Sequence, residues 1–195
     1  KEIPFTISDD TTALEDTRLK YRYLDLRRNF LQETISLRNK ITFATREFLN
    51  NLDFLEIETP ILTKSDCEGG SQLFKVSTQD IYAKNNNLNP EDELFGGKVF
   101  LTPTGQLEGE AMALALGKIY TFGPTFRAEN SNTTRHANEF WMMEPEIAFA
   151  DLKDDMILAE SMIKYIIRYV LENAPEEMAF FNQFVDKGLI ERLTH

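Results

Sequence analysis

A group of ionisable residues and one aromatic surrounds a short polar loop in the stretch FGPTFRAENSNTTRHANEFWMMEPEIAF. Arg127 and Glu129 end one apolar run, and Phe140 begins the next. The loop between the runs adds Arg135 and His136. Guanidinium groups bind phosphate oxygens, and an aromatic face can stack on a nucleobase. These residues therefore predict a site for an anionic nucleotide. The alternative from residue types alone is an Arg–Glu surface ion pair, which contributes only about 0–1 kcal/mol.

The two apolar runs predict a pair of strands whose faces differ, because successive side chains alternate between the two faces of a sheet. The first run has a bulky apolar face, which predicts core, and a face of small residues, which leaves room above the sheet. Paired across the loop, the strands would form one concave, mostly acidic surface. The bulky face comprises Tyr120, Phe122, Pro124 and Phe126, the small face Thr121, Gly123 and Thr125, and the concave surface Arg127, Glu129, Phe140, Glu144 and Glu146.

A helix is predicted just before the first strand, in the segment GQLEGEAMALALG, with Gly117 as its C-cap. Gln106 and Glu110 are four residues apart, so they lie one turn apart on the same side of this helix. An amide and a carboxylate in that arrangement can hold a small polar ligand. The predicted apolar face of the helix comprises Leu107, Ala111, Leu114 and Ala115.

Common phosphate-binding and metal-binding motifs are absent from the sequence. It contains neither G-x-x-x-x-G-K-[ST] nor G-x-G-x-x-G. With one Cys, Cys67, and two His, the chain has no internal disulfide and no zinc-ligand spacing, so we predict no metal ligands. The cysteine usage favours a reducing, intracellular setting, and no apolar run has the length of a membrane span. We therefore expect a cytoplasmic protein without membrane contact.

The distribution of charge is uneven along the chain. The formal net charge is −11, which argues against a large nucleic-acid footprint. Seven of the 21 Lys and Arg residues nevertheless lie between Arg18 and Lys40. This basic cluster is either a solvated helix surface or a local contact for a polyanion.

The order of the remaining elements predicts an α+β fold with a largely antiparallel sheet flanked by helices. Residues 1–17 are polar and rich in turn formers, so they are interpreted as a linker or arm. A helix is predicted over 29–51, then short strands in FLEIETP, LFKVS and VFLTPT. After the strand pair, a long amphipathic helix follows Asp151, and Pro175 starts one further helical segment.

The motifs resemble those of class II aminoacyl-tRNA synthetases over about residues 14–195. The opening stretch is similar to motif 2 of that class, in the aspartyl, asparaginyl and lysyl subgroup, and most similar to the bacterial-type asparaginyl branch. FLEIETPIL resembles motif 1, the dimer-forming strand, and SDCEGGSQLFKV resembles the loop that closes over the amino acid. The stretch RLKYRYLDLRR is more similar to aspartyl and lysyl relatives.

The resemblance implies ATP-dependent activation of asparagine and its transfer to tRNA(Asn), with roles for eight residues. In ATP binding, Arg127 matches the catalytic Arg that contacts the α-phosphate and the amino acid carboxylate. Glu129 matches a Glu near the adenine amino group, Phe140 the aromatic that stacks on adenine, and Arg135 and His136 the pair near the outer phosphates. In amino acid binding, Glu68 matches the acidic residue that meets the α-ammonium group, Gln106 a second contact, and Glu110 the acceptor for the side-chain amide.

The resemblance also implies that the chain is a partial catalytic domain, 18–195, truncated before motif 3 and preceded by an anticodon-binding domain that 1–17 would link. Most ligands for Mg²⁺ are then expected outside these residues. In motif 1 the usual Gly is replaced by Asp53, which tolerates a positive φ better than most residues. Motif 1 implies a homodimer.

Other functions remain open at this point. They are an aspartyl or non-discriminating synthetase, a paralogue that makes asparagine without acting on tRNA, and a dimerisation module with an inert pocket.

Overall fold

The computed structural model describes residues 2–66, 69, 72–80, 89–131, 133 and 135–195. The chain divides into two compact units, Lys1–Phe48 with Leu152–His195 and Leu49–Asp151. The helices are α1 Glu15–Lys20, α2 Arg22–Asp25, α3 Asn29–Asn51, α4 Gln106–Leu116, α5 Leu152–Asn173, α6 Pro175–Phe184 and α7 Leu189–Thr194. The strands are β1 Leu55–Glu56, β2 Leu62–Thr63, β3 Lys75–Val76, β4 Val99–Leu101, β5 Lys118–Phe126 and β6 Glu139–Ile147. No helix among the described residues is long and apolar enough to cross a membrane.

The first unit is helical, and its core lies where α5 meets α6. Val170, Ala174 and Met178 are buried there, and Leu37 and Ile41 of α3 pack against them. The long helices α3 and α5 confirm the predicted helical periodicity. The prediction of a single helical segment after Pro175 was wrong. Helix α6 ends at Phe184, and α7 begins at Leu189, directly after Gly188. Gly188 has φ 94°, a left-handed conformation that glycine adopts without steric cost.

Four of the seven cations in the basic cluster Arg18–Lys40 form ion pairs with buried carboxylates. Asp25 is fully buried and lies 2.8 Å from the Arg22 Nη1, 2.9 Å from the Arg28 Nη1 and 3.9 Å from the Arg18 Nη1. The Lys40 Nζ lies 2.6 Å from buried Glu177. These four cations are therefore not a simple solvated face, although the Arg22 side chain is still 47% exposed.

The arm 1–17 remains a prediction as a domain boundary, but it is held against the start of α3. The Arg28 guanidinium donates to the backbone oxygens of Ser8, at 2.9 Å, and Asp9, at 3.2 Å. The Asp9 side chain accepts from the Phe30 amide at 2.9 Å. Helix α1 already begins at Glu15, inside the predicted arm.

The second unit contains two three-stranded sheets, with strand orders β1-β5-β6 and β2-β4-β3. Strands β5 and β6 pair antiparallel over nine residue pairs, from Lys118 opposite Ile147 to Phe126 opposite Glu139, which confirms the predicted strand pair. Strand β1 instead runs parallel to β5. It covers only Leu55–Glu56 of the predicted 54–60 segment. Asp53, shortly before it, has φ 63°, a backbone conformation that glycine usually supplies.

Helix α4 packs by its small residues rather than by its large apolar ones. Its buried residues are Gly109 and Ala113, and a Cβ on Gly109 would lie 3.6 Å from Ile119 Cδ1. The predicted apolar face was wrong, since Leu107 and Leu114 are exposed. Small residues let α4 approach the sheet closely, which leaves its leucines outside the contact.

Candidate active site

Arg127 and Phe140 come together at the end of the β5–β6 pair. The ladder continues one step past β5, because the Arg127 amide donates to Asn138 O at 3.0 Å and Asn138 Nδ2 donates to Arg127 O at 2.7 Å. The Arg127 guanidinium carbon lies 5.6 Å from the centre of the Phe140 ring. Cation–π contacts at this distance contribute about 0.5–1 kcal/mol at exposed sites.

The Nε of Arg127 is buried and has no hydrogen-bond partner among the described residues. A buried donor without a partner costs about 1–3 kcal/mol, so such groups call for an explanation. In the described part of the chain, Arg127 Nε is the only buried side-chain nitrogen or oxygen in this condition. The arrangement offers an unused N–H beside an aromatic face, which suits an anionic ligand with a planar ring.

The remaining predicted nucleotide contacts lie in the connecting loop. Glu129 is half-buried, and its backbone oxygen accepts from the Ser131 amide at 2.9 Å. Arg135 and His136 are exposed and turn around Thr133, whose Oγ1 lies 2.5 Å from His136 Nδ1. No contact within the described residues joins Arg135 or His136 to the pair at the end of the strands. Their part in a common site remains a prediction.

Glu144 ties the strand pair to the start of α4. Its Oε1 accepts from the Gly105 amide at 3.0 Å and from Thr121 Oγ1 at 3.1 Å, and its Oε2 accepts from Thr104 Oγ1. Thr104 Oγ1 in turn accepts from the Gln106 amide at 3.1 Å. A carboxylate at a helix N-terminus is favoured by the partial positive charge there.

Sequence reasoning put Glu144 on the acidic surface but gave it no role. The strand register contained the missing signal, since Thr121 pairs with Glu144. The side chains of paired residues lie on the same face of a sheet, about 5 Å apart at Cβ. A threonine opposite a glutamate, close to a TPTG segment that precedes a helix, indicates this hydrogen-bonded junction.

Gln106 and Glu110 lie together on α4 as their spacing predicts. Gln106 Nε2 donates to Glu110 Oε1 at 2.8 Å. Gln106 is half-buried, whereas Glu110 is exposed. Their contact with an amino acid stays a prediction, as does that of Glu68, which lies outside the described residues.

The small-residue face of β5 is covered by protein at its two threonines and open at Gly123. Thr121 and Thr125 are buried, so the prediction of an open face was wrong at these two positions. A Cβ on Gly105 would lie 2.8 Å from Thr59 Oγ1 and 3.0 Å from both Thr121 Cγ2 and Oγ1. At Gly123, by contrast, an added Cβ would meet nothing within 4 Å. The open room therefore begins at Gly123, on the face that carries Phe140.

The described residues do not provide a complete site for a divalent cation. Among them, no three Asp, Glu, His or Cys side chains are grouped closely enough to hold a metal ion. Mg²⁺ prefers near-octahedral oxygen ligands and usually combines one or two carboxylates with substrate phosphates and water.

The comparisons with known proteins identify the family of the chain. Residues 14–195 match the family described as tRNA synthetases class II (D, K and N), and the chain belongs to that family. It is 54% identical to an asparagine–tRNA ligase of Clostridium botulinum over 97% of this chain and 43% of that protein. It is 55% identical to an asparagine–tRNA ligase of Alkaliphilus metalliredigens over 89% of this chain and 38% of that protein. The chain thus spans less than half the length of these relatives.

Solved structures give the same fold. The asparaginyl-tRNA synthetase of Pyrococcus horikoshii complexed with asparaginyl-adenylate aligns with a TM-score of 0.77 and 30% identity, over 93% of this chain and 38% of that one. A putative aspartyl-tRNA synthetase from Leishmania major aligns with a TM-score of 0.75 and 25% identity, over 95% of this chain and 34% of that one. The expected α+β fold of a class II catalytic core is confirmed.

The two glycines of this site should respond differently to a methyl group. Gly105→Ala is expected to destabilise the protein by about 1–3 kcal/mol, because Thr121 is held by Glu144 and cannot move away from the new Cβ. Gly123→Ala, where the space is open, is expected to change stability by less than about 1 kcal/mol. Urea unfolding of the two variants measures the difference, and equal free energies of unfolding would contradict this packing.

Proposed function

We propose that the full-length protein containing this chain is an asparagine–tRNA ligase. It activates asparagine with ATP to form asparaginyl-adenylate and transfers the asparaginyl group to tRNA(Asn). The observation that carries the proposal is the buried, unpartnered Nε of Arg127 beside the Phe140 ring. Two relatives at 54% and 55% identity bear the name asparagine–tRNA ligase, which supports the same assignment.

Adenylate formation is a displacement at the α-phosphorus of ATP. A carboxylate oxygen of asparagine forms the new P–O bond, the bond to the bridging oxygen breaks, and pyrophosphate leaves. Because the carboxylate is already ionised at neutral pH, no general base is required. Catalysis then depends on holding two anions in line and on stabilising the charge that develops between them.

Arg127 suits this task because its planar guanidinium can bridge two anions. In the proposed complex it contacts the α-phosphate and the asparagine carboxylate, and adenine stacks on Phe140. The open room at Gly123 accommodates the ligand above the sheet. Glu129 would accept from the adenine amino group, while Arg135 and His136 would contact the outer phosphates.

The proposed amino acid site begins at the N-terminus of α4. Gln106 is the first residue of that helix, and its amide is fixed through Thr104 to Glu144. Glu110 would accept from the side-chain amide of asparagine, and Glu68 would meet the α-ammonium group. Mg²⁺ accompanying ATP would be held mostly by the phosphates and by residues outside this chain. Because tRNA is used in translation, we also propose that the protein acts in the cytoplasm.

Arg127→Ala in the full-length protein tests the catalytic assignment. We expect asparagine-dependent ATP–pyrophosphate exchange to fall by about 10²–10³-fold, the usual effect of losing one preorganised charge-stabilising group. Stability should change little, because the side chain already contains an unpaired donor. Arg168→Ala, at an exposed position of α5, is the matched control. Exchange within about tenfold of wild type would remove Arg127 from the catalytic role.

Glu110→Gln tests which amino acid is recognised. Asparagine presents an NH₂ donor where aspartate presents an acceptor oxygen, so a carboxylate at Glu110 attracts the amide and repels the acid. We expect the asparagine-to-aspartate ratio of kcat/KM in pyrophosphate exchange to fall by about tenfold or more. Glu108→Gln on the same helix is the control. An unchanged ratio would leave Glu110 as an exposed partner of Gln106 and would favour an aspartyl or non-discriminating enzyme, whose fold aligns equally well.

We further propose a homodimer formed through the segment around β1. Phe54 is buried, but Leu55 beside it is 52% exposed, and β1 lies at the edge of its sheet. Unpaired edge strands with exposed apolar side chains favour association.

Leu55→Asp is therefore expected to convert the full-length dimer to monomer in sedimentation velocity at concentrations on the order of 10 μM. Leu114→Asp, which changes an exposed leucine on α4, should leave the dimer intact. A wild-type protein that sediments as a monomer would contradict the proposed interface.

A further inference from the structure

A buried glutamate that is not among the proposed ligand contacts, Glu93, forms an ion pair with Lys75 in the sheet β2-β4-β3. We call this ion pair the anchor. Glu93 lies between two short 3₁₀ turns, Pro90–Asp92 and Leu94–Gly96, and is only 7% exposed. Its Oε1 accepts from the Lys75 Nζ at 2.7 Å and its Oε2 accepts from Ser77 Oγ at 2.9 Å. These hydrogen bonds, first that of Lys75 and then that of Ser77, lower the pKa of the Glu93 carboxyl, so it is ionised at neutral pH.

The anchor holds a segment that reaches the candidate active site within a few residues. Lys75 lies in β3, which pairs antiparallel with β4. Just before it, Phe74 O accepts from the Leu101 amide at 3.0 Å. Gln72 O accepts from the amide of Ala128 at 2.7 Å, directly after Arg127.

Arg127 therefore lies between two backbone hydrogen bonds, one to the residue that follows β4 and one to the segment that precedes β3. On one side the Phe126 amide donates to Thr102 O at 2.9 Å, and on the other the Ala128 amide donates to Gln72 O. Thr102 directly follows β4, and its own amide donates to Ile61 O at 2.8 Å. Gln72 lies outside the strands. Along its segment, the next contacts are the hydrogen bond from the Leu101 amide to Phe74 O and then the ion pair of Lys75 with Glu93.

We propose that Glu93 is a positioning residue for the candidate active site, because its ion pair with Lys75 keeps the Gln72 carbonyl against the Ala128 amide and so sets the position of Arg127. The catalytic consequence rests on the proposed function, whereas the structural consequence does not. The alternative is that Glu93 stabilises only the turns on either side of it.

Amide hydrogen exchange in the full-length protein tests the structural consequence. Glu93→Gln leaves the Lys75 ammonium without its counter-charge, so the Ala128 amide should exchange about tenfold faster. The Phe126 amide, which is bonded to Thr102, should keep its protection and serves as the internal reference. Glu91→Gln, at an exposed position two residues away, is the matched control and should change neither amide.

Exchanging the two charges provides a rescue. Lys75→Glu and Glu93→Lys each place like charges together, and the double variant restores the attraction. We expect slow exchange at Ala128 to return in the double variant. Unchanged exchange at Ala128 in Glu93→Gln, or equal acceleration at Ala128 and Phe126, would overturn the proposal, because the first shows no coupling and the second shows general loosening.

Asparagine-dependent pyrophosphate exchange tests the catalytic consequence in the same variants. We expect kcat/KM to fall about tenfold in Glu93→Gln, to recover in the charge-exchanged double variant and to stay at the wild-type value in Glu91→Gln. Faster exchange at Ala128 with unchanged kcat/KM would overturn the positioning role. If the wild-type protein shows no asparagine-dependent activity, the proposed function fails, and the Ala128 amide still decides whether Glu93 controls this backbone.

Discussion

Three donors converge on the carboxylate of Glu144, and they come from both sides of the candidate active site. Thr121 belongs to β5, while Thr104 and Gly105 precede α4. Glu144 itself belongs to β6, so one side chain joins two strands and the helix. Without an acceptor here, the helix N-terminus and a buried threonine would each keep an unsatisfied donor. The position of Gln106, the first residue of the helix, depends on this junction.

The parts of the fold that follow strong local rules were predictable from the sequence. The long helices have clear helical periodicity, and the β5–β6 pair follows from alternation on both sides of a polar loop. Asp53, which stands where the resembling motif usually has glycine, adopts a positive φ. In the candidate site, the approach of Arg127 to Phe140 follows directly from the strand register, because Arg127 lies two residues beyond the partner of Phe140.

The remaining features depend on tertiary contacts that local patterns do not encode. The leucines of α4 suggested its buried face, but packing distance selected Gly109 and Ala113. The division of the small-residue face could not be predicted either, since Gly105 fills the space above Thr121 from another part of the chain. The same holds for Asp25, which lies among arginines close in sequence and is identified as their partner only when its burial is known.

The charge balance of the chain has a consequence for association kinetics. Asp25 cancels only one of the three arginine charges around it, but the chain as a whole carries a formal net charge of −11, which repels a distant polyanion. Added salt screens such repulsion, whereas it weakens binding that is driven by release of counter-ions from nucleic acid. The association rate constant of these 195 residues with RNA should therefore rise with ionic strength. If the full-length protein shows the opposite trend, the attraction comes from residues outside these 195.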